Sequence, residues 1–227
     1  TQPIGLFRSD DGGGNWKEIK SFASMPQASE WCLPLTPPIA ARARTIVVDE
    51  NDAQKMWIGV EVGGIVKTED GGENWDIVLP GDNPDLHVLC AQPNEPDVLY
   101  ASTGYGRLDG VADMVEGNAG VFRSDDRGST WQYAWRGITP RYSRPMCIDQ
   151  RAPYELTVAC APTAFSSYKD EGGAGAMLLR SQDGGNSWVS LCDEDHSPSA
   201  ANIHGLAVDS ECPGGVIVGM DQGEVWK

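Results

Sequence analysis

One eight-residue pattern, Ser/Thr-x-Asp-x-Gly-x-x-Trp, occurs four times in this chain, at residues 9–16, 68–75, 124–131 and 181–188, with intervals of 59, 56 and 57 residues between starts. The hydroxyl residues are Ser9, Thr68, Ser124 and Ser181, and the carboxylates are Asp11, Asp70, Asp126 and Asp183. The glycines are Gly13, Gly72, Gly128 and Gly185, and the indoles are Trp16, Trp75, Trp131 and Trp188. Self-similarity at a steady period marks a repeat architecture, in which one supersecondary unit buries its faces by stacking on its neighbours.

Each copy follows a short apolar run that ends in a base: Leu6-Phe7-Arg8, Ile65-Val66-Lys67, Val121-Phe122-Arg123 and Leu178-Leu179-Arg180. The residue types suit a hairpin turn, with the carboxylate accepting turn N–H groups, Gly supplying positive φ and Trp burying its ring beside the corner. A calcium or catalytic role for these aspartates is the competing reading. One Asp per turn offers too few oxygen ligands for a dedicated calcium site, so the pattern reads as structural.

Two further strands align upstream of the boxes. The first reads Ile46-Val47-Val48, Leu89-Cys90-Ala91, Met146-Cys147-Ile148 and Leu206-Ala207-Val208, and the second Met56-Trp57-Ile58, Val98-Leu99-Tyr100, Leu156-Thr157-Val158 and Val216-Ile217-Val218. With the box strand and the segment after Trp, each repeat has four strands, which is a propeller blade. The expected fold is all-β, a β-propeller of four-stranded antiparallel blades with these turns at one corner. Residues 1–227 form a single propeller, divided into a partial blade 1–20, blades 43–79, 86–134 and 144–190, and a partial blade 203–227. Both termini cut through a blade, which predicts part of a longer propeller of about six or seven blades.

These motifs resemble the Asp-box, or bacterial neuraminidase repeat, β-propellers over nearly the whole chain. GGIVKTEDGGENW and AGVFRSDDRGSTW are most similar to bacterial proteins of the photosystem II stability/assembly factor type, with sialidases, oligoxyloglucan hydrolases and sortilin-type receptors more distant. Because the box is shared by propellers of unrelated activity, it identifies a fold rather than a function.

Composition narrows the partners. With 33 acidic against 17 basic residues the formal charge is −16, which disfavours nucleic acid and anionic membrane surfaces as partners. No run approaches the roughly 18–20 apolar residues of a membrane span. Thr1-Gln2-Pro3 has no signal-peptide pattern, which favours the cytoplasm while leaving the compartment open. The six cysteines, Cys32, Cys90, Cys147, Cys160, Cys192 and Cys212, are scattered, and Cys90 and Cys147 fall inside apolar strands, so free thiols are expected. No cofactor is expected. Cys192 and His196, flanking Asp193-Glu194-Asp195, lack the second ligand pair of a metal site.

In such a blade the connections alternate between two ends, so the boxes share one end with the short links between first and second strands. The long excursions, residues 22–43, 104–118, 133–143, 162–175 and 191–202, all fall at the opposite end. Long loops on a rigid scaffold are where binding residues concentrate. At that end Arg44, His87, Arg144 and His204 each stand two residues before the apolar triple of a first strand, one per blade, and are expected to ring the channel mouth. At the ends of the second strands stand Glu61, Thr103, Ala161 and Asp221; Glu61 and Asp221 pair with the ring or face a ligand. The ring is a candidate anion or carboxylate site, the competing reading being salt bridges that cap the channel. Trp31, Tyr105, Arg107 and Tyr142 are further ligand candidates on this end, although a Trp31 folded back over its loop is the simpler expectation.

The resemblance implies a non-enzymatic binding or assembly platform, engaging a protein or a polar, anionic or glycan ligand through the long-loop end. The alternative it implies is a glycoside hydrolase with its site at the channel mouth. Sialidases carry an arginine triad, usually opened by Arg-Ile-Pro, a Tyr nucleophile with a Glu, and an acidic proton donor. Here Arg-Ile-Pro is missing, and Arg44, Arg144, Glu61 and Tyr142 or Tyr105 offer a partial set. A sortilin-like ectodomain ranks last.

Overall fold

The computed structural model describes residues 1–33, 35–104, 114–193 and 195–227. Three four-stranded antiparallel meanders follow one another: Arg42–Val48, Met56–Glu61, Gly64–Thr68 and Asp76–Val78; Leu86–Gln92, Glu95–Thr103, Gly120–Ser124 and Gln132–Tyr133; then Tyr142–Ile148, Leu156–Ala161, Met177–Ser181 and Val189–Ser190. A fourth blade has three strands, Ile203–Val208, Val216–Met220 and Val225–Trp226. An N-terminal hairpin, Phe7–Arg8 with Lys17–Glu18, holds the first box. The first strands pack in succession, first blade on second, second on third, third on fourth. The chain is a β-propeller of four blades.

The second strands explain why blades stack. Met56–Glu61 and Leu156–Ala161 are buried at every position, because both faces of a middle strand are covered by adjacent sheets, and such strands are near-continuous apolar runs. Between the first and second blades the core is built on Trp57, Ile65, Leu89, Leu99 and Phe122. The next interface uses Tyr100, Trp135, Met146, Val158 and Leu179. Smaller residues, Ala159, Ala161, Ala174, Ala176 and Ala201, fill the last one.

The four boxes share one hydrogen-bond plan. The Ser9, Thr68, Ser124 and Ser181 hydroxyls each donate to the box aspartate over 2.8 Å and accept from the N–H of Gly13, Gly72, Gly128 or Gly185. The other aspartate oxygen accepts the side chain of Asn15, Asn74, Thr130 or Ser187 at 2.6–2.7 Å. Both carboxylate oxygens are thereby used inside the turn, which accounts for the structural role. The glycines lie at φ from +75° to +95°, a region nearly closed to residues with a Cβ.

The box tryptophans dock backwards. Trp75 Nε1 donates to Ser21 Oγ (3.1 Å) and its ring meets Phe22, while Trp188 Nε1 donates to Ala134 O (2.8 Å) and its ring meets Trp135. Trp131 packs in the cluster with Trp57. Trp16 departs from the sequence expectation of a buried ring: it is 63% exposed, because no blade precedes it among the described residues. Ile46 and Val48 on the leading first strand are exposed for the same reason.

Connections sort onto two ends as the strand alternation requires. At one end the box turns touch the short links: Gly71 N–H donates to Gln54 O and Arg127 N–H to Asp97 O, both at 2.9 Å. At the other end the long segments meet one another. Gly63 N–H reaches Pro84 O (3.0 Å), Asn83 Nδ2 reaches Gly104 O and Asn118 O (3.1 and 2.9 Å), and Asn202 Nδ2 reaches Ser166 O (2.6 Å). All six cysteines are free, and burial pushes the Cys90 and Cys147 thiols up to about 12.

Candidate functional site at the long-loop end

The four basic residues aligned by the sequence share a backbone feature that the sequence does not announce. Along the first blade the pairing runs Ala43 with Val60 and then Thr45 with Gly59, which leaves Arg44 as an extra residue. His87 is passed over between Leu86–Thr103 and Val88–Ser102, and His204 between Ile203–Met220 and Gly205–Gly219. The third blade jumps from Ser143–Cys160 to Met146–Val158 across Arg144 and Pro145. Each basic residue therefore sits at a β-bulge, a device that bends the strand and re-aims a side chain. Pro145 was the available clue, because proline lacks the ladder N–H and is tolerated at bulges.

The four side chains part company. Arg44 Nη1 donates to Glu61 Oε1 at 2.8 Å, and the Glu61 Oε2 atom is ion-paired with Arg42 Nε. Glu61 is buried and two guanidiniums compensate its carboxylate, one of them from Arg44 of the aligned basic set. Arg42 stands two residues before Arg44 on the same strand, outside the register of the aligned basic residues.

His87 is 1% exposed and belongs to the interior. Its Nδ1 lies 2.6 Å from Ser143 O; a carbonyl only accepts, so Nδ1 carries the proton. In neutral His87 the Nε2 lone pair then accepts from the Tyr142 hydroxyl at 3.2 Å, and Asp85 Oδ1 stands 3.5 Å from the same nitrogen. Ligand atoms of Glu61, Asp85 and His87 lie within 4.8 Å of one another, a spacing that suits a cation, but the Arg42 and Arg44 pairs already neutralise the glutamate.

Arg144 continues the chain of contacts. Its Nη2 donates to Tyr142 Oη at 3.0 Å and its guanidinium lies over the tyrosine ring, 5.3 Å from the centroid. Its Nη1 is 3.3 Å from His204 Nδ1. A guanidinium cannot accept, so His204 Nδ1 is the acceptor and the neutral ring carries its proton on Nε2. Among the described residues no carboxylate lies within ion-pair distance of Arg144 or His204, and Arg144 Nε is buried with no partner. The His204 pKa is lowered by burial, then by the Arg144 charge, with Arg44 acting the same way and Asp221 opposing.

Asp221 is half-buried and uses both oxygens on loop backbone: Oδ1 accepts from Asn202 N–H (3.0 Å) and Oδ2 from Tyr168 N–H (3.1 Å). Thr103 and Ala161, at the matching positions, are buried. Trp31 is half-buried and packs beside Phe22 with ring centroids 6.4 Å apart, covering its own loop. Tyr142 is buried. Tyr105 and Arg107 lie outside the described residues. His196 bonds locally to Asp193 Oδ1 at 2.7 Å. Beneath Arg144, a cavity of about 10 Å³ is lined by Tyr142, Pro145, Cys160, Asn202 and Ile203, close to the minimum that admits one water molecule.

Comparison with known proteins agrees with the fold. A BNR-Asp box repeat model matches residues 6–19. The oligoxyloglucan-reducing end-specific xyloglucanase of Emericella nidulans is 25% identical over 222 residues, and the match takes in 83% of this chain but 24% of that enzyme's length. Among solved structures, the GH74 enzyme of Niastella koreensis superposes with a TM-score of 0.64 at 16% identity, over 94% of this chain and 29% of that one. YCF48 bound to D1 peptide superposes with a TM-score of 0.53 at 16% identity, over 97% of this chain and 57% of that one. At these identities the structural likeness is one of fold, and it joins hydrolases and a peptide-bound propeller alike.

Proposed function

We propose that this propeller is a binding platform whose long-loop end engages a protein or polar ligand through an anionic group, with Arg144 as the principal contact. One observation carries the reading: in a chain of net charge −16, Arg144 has no carboxylate partner among the described residues, and one of its N–H groups is buried and unpaired. An uncompensated guanidinium is costly to hold in a partly buried place, and a bidentate oxyanion satisfies it well. His204 and Arg44 bring further positive or donor groups to the same mouth. The likeness to YCF48 bound to D1 peptide supports a peptide as one form of ligand.

The test is binding of an acidic peptide to the intact chain and to the Arg144→Ala variant, which leaves the Arg44–Glu61 pair in place. Binding is expected to vanish while the melting temperature stays nearly constant. Parallel loss of stability and binding would instead make Arg144 a structural cap.

A glycoside hydrolase is the second reading, favoured by the 25% identity to the xyloglucanase. Hydrolysis needs two carboxylates roughly 5–10 Å apart across a cleft. Glu61 is committed to Arg42 and Arg44, and Asp221 to two backbone N–H groups, so neither carboxylate is placed for that chemistry. Release of reducing sugar from xyloglucan oligosaccharides by this chain would favour the hydrolase.

A further inference from the structure

Arginine and histidine side chains that converge on an anion site usually both donate to the ligand. Here they first bond to each other. Arg144 Nη1 donates to His204 Nδ1 (3.3 Å) and Arg144 Nη2 to Tyr142 Oη (3.0 Å), while the Tyr142 hydroxyl faces His87 Nε2 (3.2 Å) and His87 Nδ1–H is spent on Ser143 O (2.6 Å). Arg144 has only N–H donors, so it donates both toward Tyr142 and toward His204, and His204 Nδ1 meets it as an acceptor. That leaves His204 Nδ1 unprotonated as long as it accepts from Arg144.

The groups facing His204 are Arg144 from the third blade, Arg44 from the first blade and Asp221 from its own blade. Two are cations, and the one anion has both oxygens on backbone N–H groups. Protonating His204 in the empty site places an N–H against the Arg144 N–H and a third positive charge at the mouth. An oxyanion lying between Arg144 and His204 reverses that balance, because it accepts from both and screens one charge from the other.

We propose that Arg144 and His204 form a proton-linked oxyanion site, in which a carboxylate-like or sulfate-like group and one proton are taken up together. The proton goes to His204 Nδ1, the Arg144–His204 hydrogen bond opens, and each residue donates to an oxygen of the anion. This rests on the reading of Arg144 as the anion contact and adds the linkage to it. Affinity then rises as pH falls through the titration of His204, with up to one proton bound per anion. The ligand is held more tightly in mildly acidic than in mildly alkaline surroundings.

The chain has three histidines, so proton NMR of the ring resonances, assigned with His204→Gln, follows each one in the intact protein. The probes are sulfate and oxalate, both of which stay ionised through the titration. The expected result is an upward movement of the His204 midpoint of about one pH unit on saturation, which corresponds to about tenfold tighter binding to the protonated form. His204→Gln should retain binding but lose its pH dependence, and Arg144→Ala should lose the midpoint shift. A response to either probe supports the site, and a response to one alone tells planar from tetrahedral recognition. If an anion binds in an Arg144-dependent way while the His204 midpoint stays fixed, the linkage is overturned and the anion site stands. If neither probe binds the wild-type chain at about pH 5 or about pH 8, where a lone histidine is respectively charged and neutral, both readings fall.

Discussion

His87 Nδ1 and Ser143 O meet at 2.6 Å across the boundary between the second and third blades, and this bond withdraws one member of the aligned basic ring from the channel mouth into the interior. Its partner carbonyl is buried. Replacing His87 with Ala therefore removes a donor from buried Ser143 O and opens a cavity, a loss of about 2–4 kcal/mol in unfolding free energy from those two effects together. Urea denaturation should show it, with Arg144-dependent anion binding surviving in the folded fraction.

The tryptophan corners predict an asymmetry. Trp75 meets Phe22 at 5.3 Å between ring centroids and bonds to Ser21, so Trp75→Ala should cost about 3 kcal/mol, in the range of large-to-small core changes. Trp16 is exposed, and Trp16→Ala should stay within about 0.5 kcal/mol, as surface changes do. Thermal melts of the two variants against wild type check this. Equal losses would show that the corner itself, rather than the blade behind it, holds the ring.

What the sequence made legible was everything governed by local pattern. The boxes at Ser9, Thr68, Ser124 and Ser181 fixed the hairpins, the apolar triples fixed the first strands, and strand alternation then sorted the loops onto two ends. It also placed Arg44, His87, Arg144 and His204 at one register. What it did not disclose is which way each points, because a bulge is a relation between two strands and leaves little trace in one. Hence His87 lies in the interior, Glu61 takes Arg42 as a second partner beside the expected pairing with Arg44, and Asp221 is spent on loop backbone. Trp16 was misjudged for a related reason: burial of a box indole depends on the neighbouring blade, which lies outside its own repeat.

Acid should act on the boxes. Hydrogen bonds from Asn15 and Ser9 hold Asp11 down from 3.8 to about 2, and Asp70, Asp126 and Asp183 are lowered by the same kinds of bond. A carboxylate whose folded pKa is depressed stabilises the fold fully above its unfolded value, and that contribution disappears as pH falls through the folded value. The contribution of the box carboxylates is therefore expected to weaken below about pH 4, that of Asp11 being lost as pH falls through about 2. Asp183→Asn, which cannot accept both Ser187 bonds as a carboxylate does, should lower the melting temperature at neutral pH and flatten its acid dependence. Circular dichroism melts from neutral to acid pH measure both.

Whether Arg144 contacts an anion, as proposed, or braces the fold is read by calorimetric titration of oxalate into the wild-type chain, Arg144→Lys and Arg144→Ala. Lysine keeps the charge and loses the planar fork, so Arg144→Lys should bind about tenfold more weakly, as the loss of a charge-assisted hydrogen bond implies. Arg144→Ala should show no heat of binding, with both variants melting within about 3 °C of wild type. Oxalate binding unchanged in Arg144→Ala, or a melting temperature that collapses along with the affinity, would contradict the anion contact.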